Sequence, residues 1–86
     1  MFSRDDILAG LRTALERASN GRANLAELHE DSRIIEDVGL ASLDLLELRC
    51  EMEERWQATV TDDQLMRLRT IGQAIELIEQ QINKPG

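Results

Sequence analysis

Apolar side chains recur every three or four residues in three separate stretches of this chain, a period that suits one kind of secondary structure. Ile7, Leu8, Leu11, Ala14, Leu15 and Ala18 form the first stripe. Leu45, Leu48, Met52 and Trp56 form the second, at i, i+3, i+7 and i+11, and Ile71, Ala74, Ile75, Ile78 and Ile82 form the third. A 3.6-residue repeat gathers each set on one face of an α-helix. In 86 residues those faces have little to bury against except one another. The expected architecture is all-α, a small four-helix bundle with a long loop between helices one and two and a short third helix. Residues 1–86 read as a single domain.

Local signals set the boundaries. Ser3 with Asp6 is a variant of the reciprocal cap that starts a helix, and Ser19-Asn20-Gly21 is a stop signal. Residues 20–41 have no sustained period. A loop that long in a compact domain needs pins of its own, and Ile34, Ile35, Val38 and Leu40 are candidates. Leu25 and Leu28 add scattered apolar positions, and a short helical turn is compatible with 25–30. Helix two is expected from Ser42 to about Gln57. Ala58-Thr59-Val60 reads as an extended connector because β-branched residues disfavour helix. Thr61-Asp62-Asp63 caps a short third helix through Leu65, Met66 and Leu68, and Thr70 caps the last. Gly72 weakens its first turn, and Asn83-Lys84-Pro85-Gly86 reads as a frayed end. The length of the first connection argues against a tight hairpin between helices one and two.

The net charge of −7 narrows the partners. Phosphates of nucleic acid or of an anionic membrane would be repelled, and basic protein surfaces attracted. Cys50 is the only cysteine, and no Cys/His cluster has metal-ligand spacing. No His lies near Cys50 to activate it, and His29 falls in the long loop, so neither is read as catalytic. Trp56 is read as core. The polar start Met1-Phe2-Ser3-Arg4-Asp5-Asp6 does not suit a secretory signal, and no apolar run reaches bilayer length. A soluble, monomeric, cytoplasmic protein without metal is the expectation.

Helix two carries more apolar width than a bundle needs. Leu43, Leu46 and Cys50 form a second stripe beside Glu47, Glu51 and Glu54. Asp44 and Glu53 add to the acid, opposed by Arg49 and Arg55. An acidic helix face is often only solvated. Here Leu43, Asp44, Leu46, Glu47, Cys50, Glu51 and Glu54 together suggest a docking surface for basic partners. Ser42 has two readings. Its hydroxyl can cap the helix, or it can hold a phosphate at the helix's positive end.

Gly39-Leu40-Ala41-Ser42-Leu43-Asp44 resembles the attachment motif of acyl carrier proteins, usually Gly-Leu-Asp-Ser-Leu-Asp. Asp31-Ser32-Arg33 and Glu36-Asp37-Val38 resemble the family's loop before that motif. Trp56, the short third helix and Thr70-Ile71 fall in register behind it, whereas helix one matches only in length and pattern. The resemblance implies a free-standing carrier without catalysis of its own, whose Ser42 receives 4′-phosphopantetheine from a phosphopantetheinyl transferase. Acyl-loading and acyl-processing enzymes with basic surfaces would be its other partners. A fatty-acyl or polyketide-type cargo is favoured over a peptidyl one, because peptidyl carriers usually show Gly-Gly-His-Ser or Gly-Gly-Asp-Ser. An aminoacyl carrier served by a stand-alone ligase, or a helical interaction domain without a prosthetic group, are the alternatives. Ala41 departs from the motif: it neither caps the helix nor offers charge to the modifying enzyme.

Overall fold

A computed structural model describes residues 3–82, in the order α1 (Arg4–Ala18), α2 (Asp44–Trp56), α3 (Asp62–Arg67) and α4 (Ile71–Ile82). The expected frayed end and the first two residues lie outside the described range. All four elements are helical, and among the described residues the one extended pairing is an isolated antiparallel bridge between Arg33 and Thr70. The all-α bundle anticipated from the stripes is the observed fold.

The core sits where those stripes meet. Ile7, Leu11, Ala14 and Leu15 of α1 face Leu48, Met52 and Trp56 of α2 and Ile71, Ala74, Ile75 and Ile78 of α4, all of them buried. Burying each large aliphatic contributes about 1.5–3 kcal/mol, which is how so small a chain offsets its conformational entropy. Gly10 lets α1 and α2 approach closely: a Cβ there would lie 2.5 Å from the Trp56 ring.

The long loop is held by backbone as well as by side chains. Ile34, Val38 and Leu40 are buried pins, as expected. Ile35 is not a pin: at 44 % exposure it points outward, because Ile34 already faces the core. Leu25 and Leu28 pack on the rim of the core. Residues 25–30 form turns and no helix, since their backbone is committed elsewhere. Arg12 donates to the Leu25 carbonyl at 2.9 Å, and His29 N–H donates to Ser32 Oγ at 3.1 Å. Ile34 N–H donates to the Arg69 carbonyl, and Ile71 and Gly72 N–H donate to Ser32 and Glu30. The loop is thereby stitched to the link between α3 and α4.

Three helix starts are closed in the same reciprocal way. In α1 Asp6 N–H donates to Ser3 Oγ, and Ser3 N–H donates to the Asp6 carboxylate. Those donors hold the Asp6 carboxyl below its ordinary value, the backbone N–H contributing most. Thr61 and Gln64 repeat the box at α3, and Thr70 and Gln73 repeat it at α4. The third helix stops at Arg67, leaving Leu68 as a buried cap residue and Met66 70 % exposed.

Candidate functional site

The α2 start is built differently. Gly39, at φ +90°, turns the chain in a conformation that L side chains rarely adopt, and Leu40 then anchors it in the core. Beyond that anchor Ala41, Ser42 and Leu43 are exposed. Asp44, Leu45 and Leu46 N–H donate to the carbonyls three residues back, at 2.9, 3.2 and 3.2 Å. This tight turn occupies the first residues assigned to helix two from its sequence, so α2 begins at Asp44 and ends at Trp56. Gln57, in the left-handed conformation at φ 56°, closes it.

Asp44 supplies half of a box: its Oδ2 accepts from Ala41 N–H at 2.9 Å. The other half needs a side-chain oxygen at position 41, and Ala41 has none. Ser42 does not take over, and no side chain caps α2. Among the described residues the Ser42 hydroxyl and the Ser42 and Leu43 N–H groups have no hydrogen-bond partner. An exposed, uncommitted hydroxyl therefore stands beside free amide donors at the positive end of a 13-residue helix.

The acidic residues of α2 divide into engaged and open ones. Arg22 takes both Asp44 oxygens, at 3.2 and 3.1 Å, leaving that side chain 14 % exposed. Glu51 pairs with Arg55 at 3.3 Å and with Arg17 at 3.8 Å. Glu53 accepts from Val60 N–H at 3.0 Å, fixing the connector, and Arg49 pairs with Asp62 across to α3. Glu47 and Glu54 are exposed and make no ion pair among the described residues. Leu43, Leu46 and Cys50 are exposed, with Leu43 at 77 % and Leu46 at 49 %. Of the seven positions read as a docking surface, Asp44 and Glu51 are thus occupied within the molecule, while Leu43, Leu46, Glu47, Cys50 and Glu54 lie open.

Arg22 carries no sequence signal for this part. It is separated from Asp44 by an aperiodic loop, so neither motif nor period connects them. Among the described residues no group of His, Cys, Asp and Glu could hold a metal ion. No helix there is long and apolar enough to cross a membrane. A recess of about 120 Å³, lined by Ile35, Glu36, Leu45, Leu68 and Arg69, opens between the loop, α2 and the α3–α4 link.

Residues 7–78 match the family model described as the phosphopantetheine attachment site. An acyl carrier protein of Sulfurovum sp. (strain NBC37-1) is 43 % identical over 53 residues, which cover 62 % of this chain and 71 % of that protein. An acyl carrier protein of Exiguobacterium sibiricum is 29 % identical over 81 residues, covering 94 % of this chain and 100 % of its own length. Among solved structures, the hexanoyl acyl carrier protein of the actinorhodin polyketide synthase from Streptomyces coelicolor superposes with a TM-score of 0.77. The two are 27 % identical, over 100 % of this chain and 96 % of that one. The 3,7-dioxo-octyl form of that carrier gives 0.76, at 28 % identity over 95 % and 92 %. The class so defined is a carrier with a helical-bundle fold, and this chain belongs to the acyl carrier protein family. Its cofactor is 4′-phosphopantetheine; it works with a phosphopantetheinyl transferase and with acyl-processing enzymes, and it is not itself a catalyst.

Proposed function

We propose that Ser42 is the attachment residue, and that the chain is a free-standing, monomeric cytoplasmic carrier of fatty-acyl or polyketide-type groups. The observation that carries this reading is the exposed Ser42 hydroxyl on the half-capped turn, inside the matched region. The residues present suit the group. Ser42 and Leu43 N–H offer donors to a phosphodiester on the Ser42 oxygen, and the α2 dipole favours its charge. When bound, the arm supplies a terminal thiol that carries the acyl group as a thioester. The likeness to the actinorhodin polyketide synthase carriers supports the polyketide side of that reading.

Leu43, Leu46 and Cys50 form the apolar centre of the docking surface, and Glu47 and Glu54 its open charge. Basic partner enzymes are steered to it electrostatically, in encounters that stay brief. The test is incubation with coenzyme A and a broad-specificity transferase, followed by intact mass. One phosphopantetheinyl group should add to the native chain and none to Ser42→Ala. An unmodified native chain, or a modified Ser42→Ala, overturns the proposal. Charge reversal at Glu47 and Glu54 to Lys should slow partner turnover, more so at low salt; unchanged turnover in a folded variant refutes the surface.

A further inference from the structure

A run of polar contacts ties the attachment turn to the end of α1. Arg22 Nε donates to the Ser19 carbonyl at 2.8 Å, just beyond the last residue of α1. Its Nη2 donates to both Asp44 oxygens, and Asp44 Oδ2 accepts from Ala41 N–H at 2.9 Å. Ser19 is itself fully buried, its hydroxyl accepting from Ala23 N–H at 2.9 Å. The strap therefore runs from a fixed point through one guanidinium and one carboxylate to the residue before Ser42. Arg22 thereby fixes the carboxylate that accepts from Ala41 N–H, in a turn where position 41 supplies no capping oxygen of its own.

We infer that Arg22 is a positioning residue for loading: through Asp44 it holds the Ala41–Leu43 turn, the task a capping side chain performs at the other helix starts. This rests on the reading of Ser42 as the attachment residue. In loading, the Ser42 oxygen bonds to phosphorus of coenzyme A as that phosphorus loses adenosine 3′,5′-bisphosphate. The hydroxyl proton passes to the transferase. Such a displacement needs the oxygen held in line, and a loose turn lowers the fraction of encounters that react. The planar fork of Arg22 makes the arrangement specific, because a lysine ammonium cannot grip Ser19 and both carboxylate oxygens in one plane.

Three variants test it: Arg22→Gln, Arg22→Lys and Ala41→Asp, the last supplying the missing half of the box. Arg22→Gln and Arg22→Lys should each lower the loading kcat about threefold to tenfold with KM little changed, the factor for roughly one hydrogen bond. In the Ala41→Asp background the same changes should cost less than about twofold, because the turn then has its own cap. Amide hydrogen exchange at Ala41 in the unloaded protein should quicken in both Arg22 variants by a similar factor. A rise in KM that Arg22→Lys reverses would make Arg22 a direct contact for the transferase and overturn the inference. Unchanged exchange at Ala41 overturns it too. Failure of the native chain to load would instead strike the Ser42 reading, and the exchange measurement would still judge the strap.

Discussion

The start of α2 and the starts of the other three helices solve one problem with different completeness. α1, α3 and α4 each exchange two hydrogen bonds between a hydroxyl residue and an Asp or Gln three positions on. At α2 only the carboxylate half exists. The three complete boxes are the fixed body of the bundle. The incomplete one leaves donors open beside Ser42, the residue proposed to take the prosthetic arm. A capping residue that uses its hydroxyl for the helix has none to spare, so Ser42 is available because it does not cap.

That contrast can be broken from either side. The largest effect should come from the body. Gly10→Ala gains helix propensity but drives a methyl into the rigid Trp56 ring, so overpacking should cost about 1–3 kcal/mol in a denaturant melt. Loading per folded molecule should be untouched. Next, Thr70→Ala removes a complete cap and should cost about 1 kcal/mol. Ala41→Asp runs the other way, and should stabilise the unloaded protein by roughly 0.5–1 kcal/mol if the missing half-box is what distinguishes α2. Ser42→Ala, in the unloaded protein, should shift stability by less than about 0.5 kcal/mol, since the hydroxyl caps nothing. A loss as large as that of Thr70→Ala would show that Ser42 caps α2 after all.

Acid acts on two carboxylates that hold the body, Asp6 at the start of α1 and Glu30 in the long loop. Asp6 lies below its ordinary value of 3.8 through its bonds to Ser3, and Glu30 below 4.5 through Arg4. Both carboxyls are depressed on folding. Their contribution is complete above those ordinary values and is lost as pH falls through the lower folded ones. An acid titration followed by circular dichroism should show stability declining from about pH 4.5 downward, with the decline reduced in Asp6→Asn.

Most of the body was legible because helical stripes and caps are local. Ser3/Asp6, Thr61 and Thr70 could be read within four residues, and the observed helices start where those residues place them. What escaped was long-range. Whether Ile34 or Ile35 turns inward depends on the bond from Ile34 N–H to Arg69, which no window contains. Gly10 lies against the Trp56 ring, a contact between α1 and α2 that no local window of sequence contains. At the site, Ser42 and the open stripe could be read from the motif and its period. The removal of Asp44 from the docking charge could not, because Arg22 lies beyond an aperiodic loop, whereas the nearer partner of Glu51, Arg55, stands four residues on in the same helix.

The claim that Ser42 carries the arm meets its most direct test in peptide mapping. Cleavage after Arg33 and Arg49 releases residues 34–49, in which Ser42 is the only hydroxyl-bearing side chain and no thiol occurs. After reaction with coenzyme A and a transferase, that peptide should carry the added phosphopantetheinyl mass, with fragment ions placing it on Ser42. The same mass on any other peptide, or an unmodified 34–49 from a protein that had gained it, would contradict the account.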